Sequence, residues 1–262
     1  MMLYKLNEIL FNKQISSRYW HMEVFVGQDV DNVLPGQFFN LLCSNENTFP
    51  FLRRPLSVYK INYDKKTIEF LYLVKGDGTK RLTKFKNGDC MDLVGPLGVP
   101  FKLNNGARHI LLVARGVGIA TLTALAQYAV EKGIQCHAIL SARTKDDLLA
   151  VRLLTSLGVH LHIVTDEEGT SELTHVKEIM QKIHYKFSIQ GIYVCGSKRL
   201  SKLAKSFVIE QKLEGQIALE EHMACGMGVC FACVCNILND ENIESVRVCK
   251  EGPVFDLRKV VL

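Results

Sequence analysis

The sequence predicts a multidomain protein that combines α+β and α/β architecture: an antiparallel β-barrel, then a parallel-sheet domain, then a small C-terminal unit. Three observations support this prediction. Short segments rich in β-branched and aromatic residues fill the first part of the chain. Strand-like and helix-like segments then alternate. Finally, four of the nine cysteines fall within residues 224–235. We place the domain boundaries at 1–100, 101–214 and 215–262.

The first of these regions is expected to form the barrel. Turn residues such as Asp64–Lys66 and Gly76–Gly78 separate its strand-like segments, and the basic stretch 75–86 is expected to form a hairpin rim. Five or six short strands without intervening helices favour a small antiparallel barrel. The predicted strands are 19–26, 36–43, 55–61, 67–74 and 89–95.

The second region shows the pattern of a parallel sheet covered by helices. Residues 109–114 (HILLVA) form a continuous apolar run, which is typical of a strand buried on both faces. Gly116 and Gly118 follow this run and precede a helical pattern over 121–133. Further strands are predicted at 136–142, 159–166 and 191–197, and further helices at 147–158, 173–183 and 199–212.

Charge and hydropathy exclude several classes of protein. The chain has 32 basic and 27 acidic residues, and no run of like charges concentrates the net charge of +5. This distribution argues against a nucleic-acid interface. No apolar stretch approaches the ~20 residues of a membrane helix, and the N-terminal segment lacks the apolar core of a signal peptide. We therefore expect a cytoplasmic protein without membrane or nucleic-acid partners, whose thiols stay reduced.

The clustered cysteines indicate a metal centre. Cys225, Cys230 and Cys233 have the spacing C-x4-C-x2-C, and Cys249 follows after fifteen residues. This spacing is typical of plant-type [2Fe–2S] sites, in which one loop supplies three thiolates. Gly226 and Gly228 could adopt the positive φ angles of a tightly curled loop. Zinc and unliganded thiols remain alternatives.

The remaining cysteines are expected to be structural. Cys235 could be an alternative ligand, although a small buried thiol is the favoured interpretation. Cys43, Cys90 and Cys136 lie in strand-like apolar segments and are predicted to be in the core.

Two motifs in the barrel region are suited to phosphate. Arg54 precedes Pro55, Leu56 and Ser57 at the mouth of a predicted strand, and an arginine fork matches a pyrophosphate. The glycine turn before Thr79 offers N–H donors and a hydroxyl. Each motif alone also has an ordinary interpretation, as a surface arginine or a hairpin turn.

Taken in order, these motifs resemble the ferredoxin reductase superfamily, and within it the electron-transfer subunits of dihydroorotate dehydrogenase B. The resemblance covers essentially the whole chain. Its most specific parts are LEEHMACGMGVCFACVC at 219–235 and VCKEGPVF at 248–255. It implies FAD in the barrel, NAD as electron acceptor or donor at the second domain, and a [2Fe–2S] cluster in the C-terminal domain. It also implies an oxidoreductase subunit that works in pyrimidine biosynthesis with an FMN-containing dihydroorotate dehydrogenase catalytic subunit, as a heterotetramer of two plus two.

The resemblance also implies site residues. Arg54 would hold the FAD pyrophosphate, Leu56 and Ser57 would border the isoalloxazine, and Thr79 would complete the phosphate site. The implied FAD residues are Arg54, Pro55, Leu56, Ser57, Leu71, Tyr72, Leu73, Gly78 and Thr79. The implied iron ligands are Cys225, Cys230, Cys233 and Cys249. No residue of this chain is expected to be catalytic itself.

The nucleotide motif of this family is altered here. It reads Gly-Gly-Gly-x-Gly-x-Ala-Pro in the family but ARGVGIAT at 114–121 in this chain, and the later Cys-Gly-Pro is changed to Cys195-Gly196-Ser197. We assign Gly116, Gly118 and Cys195 to NAD, because a tight turn into a helix N-terminus is still expected. Arg115 has two interpretations: an added phosphate contact, or a side chain that blocks the site so that NAD use is lost.

Two other functions remain open. One is a reductase subunit of another oxidoreductase, such as a hydrogenase, with altered or no use of NAD. The other is a non-enzymatic, zinc-bearing binding module. No nucleophile–base pair suggests hydrolysis or acyl transfer, and we expect the histidines at 160, 162 and 175 to be solvated or at the edge of the core.

Overall fold

Six antiparallel strands close into a barrel in the first part of the chain, as the sequence predicts. The computed structural model describes residues 3–44, 49–240 and 242–262. Around the barrel the strands follow the order β1-β2-β5-β4-β3-β6. They are β1 (Leu3–Gln14), β2 (Tyr19–Phe25), β3 (Phe38–Leu41), β4 (Arg54–Asn62), β5 (Thr67–Leu73) and β6 (Cys90–Leu97). A short helix, α1 (Asp77–Leu82), follows β5, and a 3-10 turn covers Gly27–Asn32.

Strand β1 was not expected from the sequence. It pairs with β2 on one side and with β6 on the other, so it closes the barrel. Its register with β6 runs from Leu3 opposite Gly95 to Glu8 opposite Cys90. A closed barrel leaves no unpaired strand edge, which is the physical gain from this additional strand.

A six-stranded sheet forms the centre of the second part of the molecule. Its order is β14-β11-β10-β7-β8-β9, and all neighbours are parallel except β14, which runs antiparallel to β11. The strands are β7 (His109–Arg115), β8 (Gln135–Ala142), β9 (His160–Thr165), β10 (Gly191–Cys195), β11 (Glu214–Ala218) and β14 (Val254–Asp256). The helices are α2 (Ile119–Glu131), α3 (Val151–Ser156), α4 (Leu173–Phe187) and α5 (Lys198–Glu210), with 3-10 turns at Gly116–Gly118 and Lys145–Asp147. This alternation confirms the predicted α/β part of the fold.

The C-terminal segment forms a hairpin that packs against the rest of the chain. Strands β12 (Val234–Asn239) and β13 (Asn242–Arg247) pair in an antiparallel manner. Two cysteines, Cys233 and Cys249, share one hydrophobic core with Phe38 of the barrel and Phe255 of the sheet. The hairpin region is therefore packed against both other parts.

Three local predictions were wrong. Residues 77–82 form a helix rather than a hairpin turn, and the Thr79 hydroxyl accepts hydrogen bonds from the N–H groups of Lys75 and Gly76 at its start. Helix α3 covers only Val151–Ser156, which is shorter than the predicted 147–158. Cys90 is exposed at the start of β6, where the adjacent Met91 takes the inward position. Cys43 and Cys136 are buried, as predicted.

The helices of the described chain share one further property. None of them is both long enough and apolar enough to cross a membrane.

Candidate functional site

An irregular loop between β11 and β12 presents three of the four predicted ligand thiols. Backbone N–H groups within this loop surround the Cys225 sulfur: Met227 and Val229 each donate at 3.4 Å, and Cys230 donates at 3.5 Å. The Gly228 N–H donates to the Cys249 sulfur at 3.1 Å. Such N–H groups stabilise thiolates and the sulfur atoms of iron–sulfur clusters.

The four thiols form two pairs. Cys225 and Cys230 lie within hydrogen-bonding reach of each other, and so do Cys233 and Cys249. In the described part of the chain, no three His, Cys, Asp or Glu side chains are placed to hold one metal ion. Two pairs of thiolates match two bridged iron atoms, whereas one zinc ion needs its four ligands around a single point.

The acidity of these thiols is consistent with metal binding. Desolvation raises the pKa of Cys225, but the N–H groups of Met227, Cys230 and Val229 outweigh it and lower the pKa to about 6. At Cys249, desolvation and the adjacent Cys233 raise the pKa to about 12. Without a metal, Cys225 therefore favours the thiolate and Cys249 favours the protonated thiol. A cation bound to both pairs would favour the thiolate form of both residues, because metal-bound thiols are deprotonated. The residues present therefore fit the cluster.

Two glycines allow the loop to curl. Gly226 has φ +65° and Gly228 has φ +83°, both in the left-handed region. A Cβ atom on Gly226 would lie only 2.0 Å from the amide nitrogen of Asn40, a buried residue of barrel strand β3. The same amide lies 3.4 Å from the Cys225 carbonyl oxygen and donates to it. The loop is therefore in direct contact with the barrel.

A cavity of about 330 Å³ lies between the barrel and the start of this loop. Six of the residues assigned to FAD line it, namely Pro55, Leu56, Ser57, Leu71, Tyr72 and Leu73. On the opposite side it is lined by Leu219, Glu220, Glu221 and Met223. Because Met223 is two residues before Cys225, the cavity and the thiol loop are adjacent.

The other predicted FAD residues meet beside this cavity. A Cβ atom on Gly78 would lie 2.4 Å from the Arg54 Nε atom, so only glycine allows this guanidinium to pack here. The Thr79 hydroxyl oxygen accepts hydrogen bonds from the backbone N–H groups of Lys75, at 3.0 Å, and Gly76, at 3.2 Å. Lys75 also lines the cavity. The structure thus brings together the arginine fork and the start of α1, two elements suited to a pyrophosphate.

The residues assigned to NAD meet at the carboxyl edge of the central sheet. A Cβ atom on Gly118 would lie 2.6 Å from the Cys195 carbonyl oxygen, and one on Gly196 would lie 2.3 Å from the Arg115 carbonyl oxygen. These two glycines therefore let the loops after β7 and β10 touch. Gly116 has φ +55°, and a Cβ there would meet nothing closer than the Tyr19 hydroxyl at 3.6 Å. Open α/β sheets usually bind their ligands at the carboxyl ends of their strands.

The Arg115 side chain spans the same edge. Its Nη1 atom donates to the Ser141 hydroxyl at 2.7 Å, and its Nη2 atom donates to Asp166 at 2.5 Å. Arg115 is the first cause of the lowered pKa of Asp166, with Ser171 as the second. Neither Ser141 nor Asp166 was proposed from the sequence. Both stand at the carboxyl ends of predicted strands, where α/β sheets usually bind their ligands, and this position could have identified them from the sequence.

Glu220 is a third residue that sequence reasoning missed. It lines the cavity next to the barrel and also a neighbouring cavity of about 310 Å³ that Ser197, Lys198 and Cys235 help to line. The residue is exposed to solvent, and the protein packed around it raises the pKa of its carboxyl by partial desolvation. Its place in the motif LEEHM was visible, but nothing in the motif shows that Glu220, like the adjacent Glu221, lines both cavities.

Cys235 lies half-buried beside the ligand loop. Desolvation, followed by the nearby Glu221 and Cys233, raises its pKa to about 11. Cys235 lies on β12 and lines the cavity of about 310 Å³, and it is not a member of either thiol pair, which favours the interpretation that it is not a ligand.

Comparison with known proteins agrees with this geometry. Residues 220–261 match the family described as the iron–sulfur cluster binding domain of dihydroorotate dehydrogenase B. The electron transfer subunits of dihydroorotate dehydrogenase B (NAD(+)) from Bacillus mycoides (strain KBAB4) and Bacillus cereus (strain Q1) are each 34% identical over 266 residues, covering 100% of both chains.

Solved structures show the same fold. A NADH-dependent reduced ferredoxin-NADP oxidoreductase superposes with a TM-score of 0.79 at 26% identity, covering 98% of this chain and 90% of the other. A ferredoxin NADP+ reductase from Neisseria gonorrhoeae gives 0.61 at 17% identity, with 79% and 91% covered. Because its full-length relatives are 34% identical over the whole chain, the protein belongs to the family of dihydroorotate dehydrogenase B electron transfer subunits, which are oxidoreductase subunits.

Proposed function

We propose that this chain relays electrons between NAD and a catalytic partner subunit, through an FAD in the barrel cavity and a [2Fe–2S] cluster on the cysteine loop. The observation that carries this proposal is the continuity of the two sites. Met223 lines the cavity, Cys225 follows two residues later, and Asn40 of the barrel binds the Cys225 carbonyl. Electrons passing between the two groups would cross only this short contact.

The barrel site has the features that a flavin requires. Leu56, Leu71 and Leu73 supply apolar lining, and Arg54 beside Gly78 supplies charge for a pyrophosphate. A bound flavin accepts two electrons together and releases them singly, whereas a [2Fe–2S] centre takes one at a time. The chain's own residues bind and orient the group and limit the access of water.

We assign one task to each part of the chain. Residues 1–100 would bind FAD, residues 101–214 would receive NAD, and residues 215–262 would hold the cluster. Gly116, Gly118 and Cys195 would border the nucleotide, since they lie where the loops after β7 and β10 touch. A cytoplasmic location belongs to the proposal, because thiol ligands stay reduced there.

The partner would dock on the cysteine loop. Three apolar side chains project from this loop: Met227 is 46% exposed, Val229 is 76% exposed and Phe231 is 60% exposed. Exposed apolar side chains around a redox centre favour a protein interface. The sequence resemblance supports an FMN-containing dihydroorotate dehydrogenase subunit in a two-plus-two complex as that partner.

The decisive experiment is purification of the complex without oxygen, followed by identification of its subunits and cofactors. We expect about two iron and two sulfide per copy of this chain, together with one FAD. Stoichiometric zinc without sulfide, or FMN in place of FAD in this subunit, would contradict the proposal. A partner other than a dihydroorotate dehydrogenase barrel would leave the relay standing but change its substrate.

A further inference from the structure

Arg247, the last residue of β13, contacts the cysteine loop, and the proposed electron relay does not explain these contacts. Its Nη1 atom donates to the Gly228 carbonyl oxygen at 2.6 Å. Its Nε and Nη2 atoms bind the carboxylate of Glu251, with Nε at 3.1 Å from Oε2. The guanidinium carbon also lies 4.7 Å from the centre of the Phe231 ring. One cation therefore touches the loop twice and is held in place by one carboxylate.

The contact with Gly228 reaches a cluster ligand through a single peptide group. The Gly228 carbonyl and the Val229 N–H belong to the same planar peptide, in which C=O and N–H point in opposite directions. Arg247 binds the carbonyl side, and the N–H side donates to the Cys225 sulfur at 3.4 Å. A charged donor on the oxygen fixes the direction of this peptide and polarises its N–H.

We infer that Arg247 is a positioning residue that raises the reduction potential of the [2Fe–2S] cluster. Reduction adds one negative charge to the cluster. A nearby positive charge and a stronger N–H contact to a ligand sulfur both favour the reduced form. Glu251 acts in the opposite direction, because its carboxylate offsets part of the guanidinium charge. This inference rests on the proposed function, since it needs the cluster on these four thiols.

Two substitutions in the complete complex, each removing one charge, test the inference by the sign of their effects. Arg247→Gln removes the charge, and we expect the cluster potential to become more negative. Glu251→Gln keeps the shape of the carboxylate but leaves the guanidinium charge uncompensated, and we expect a less negative potential. A purely structural role for this pair would not produce opposite shifts. The measurement is a redox titration without oxygen, followed by the electron paramagnetic resonance signal of the reduced cluster.

Arg258→Gln is the matched control. Arg258 pairs with Asp256 at 2.7 Å in the same C-terminal region, and in the described chain none of its hydrogen bonds or ion pairs reaches the cysteine loop. We expect it to leave the cluster potential unchanged. A shift as large as that of Arg247→Gln would show that any lost positive charge has this effect, and it would overturn the specific role.

The remaining outcomes are also decisive. Unchanged potentials in both variants, or shifts of the same sign, would overturn the inference. If Arg247→Gln cannot retain iron, Glu251→Gln decides alone: a less negative potential supports the inference, and an unchanged one refutes it. Absence of iron and sulfide from the unmodified complex would refute the proposed function itself, so the two failures are distinguishable.

Discussion

Acidification should destabilise the central sheet through one buried histidine. His137 in β8 is fully buried, and neither ring nitrogen has a hydrogen-bond partner within the described chain. Its ring stacks on His160 at 5.0 Å and lies 4.3 Å from the ring of Phe187, with His109 at 5.7 Å. The imidazole is therefore held in its neutral form among aromatic rings.

The size of the effect follows from the pKa of this group. Desolvation first, and then the nearby His160, His109, His162 and Lys186, lower the pKa of His137 from 6.5 to about 4. Between these values the unfolded chain binds a proton that the folded chain does not. Stability is therefore complete above pH 6.5 and falls as the pH decreases toward 4. At about 1.36 kcal/mol per pKa unit, His137 alone removes roughly 3 kcal/mol over this range. The pKa of His162 is also lowered by desolvation, so it acts in the same direction.

The assay is urea unfolding followed by circular dichroism at a series of pH values across this range. His137→Phe keeps an aromatic ring of similar size but does not titrate. We expect this variant to lose much less free energy of unfolding on acidification than the unmodified chain. His175→Gln, at an exposed histidine of α4, is the control and should follow the unmodified chain. Equal acid sensitivity of His137→Phe and the unmodified chain would refute the reasoning.

Four further outcomes are expected. Arg54→Ala should raise the dissociation constant of FAD roughly 10- to 150-fold, since a charge-assisted contact is worth about 1.5–3 kcal/mol; an unchanged constant would remove Arg54 from the site. Gly226→Ala should lower the iron content, because its Cβ would meet Asn40 at 2.0 Å, whereas Gly106→Ala, with a similar positive φ and open space, should not. Cys235→Ser should keep most of the cluster, while Cys233→Ser should lose it; equal iron analyses would contradict this ligand set. Micromolar NADH, mixed in without oxygen, should bleach the flavin rapidly, because the proposed relay needs a working nucleotide site; bleaching only in Arg115→Gly would contradict this and identify Arg115 as a blocking side chain.

Much of the architecture could be predicted from local pattern. The barrel strands alternate with turn residues. The apolar run at 109–114 predicted β7, which extends one residue further, to Arg115. Strand β1 was missed because its sequence, LYKLNEILFNKQ, mixes apolar and charged residues without a clear period. Helix α1 was mistaken for a turn because Gly76 and Gly78 also suit a turn, whereas the Thr79 hydroxyl accepts the N–H groups of Lys75 and Gly76 at the start of a helix.

The ligand set shows how far sequence alone determines this protein. Cysteines spaced as C-x4-C-x2-C lie in one loop, so their chemistry is local and can be recognised without a fold. The contacts that orient them are not local. Asn40 binds the Cys225 carbonyl from 185 residues away, and Arg115 reaches Asp166 across 51 residues. Any arginine or asparagine in the chain could have made such contacts. Only the closure of the barrel and the order of the parallel strands select the partners, because hydrogen bonds and ion pairs form between groups that are near in space and not in sequence.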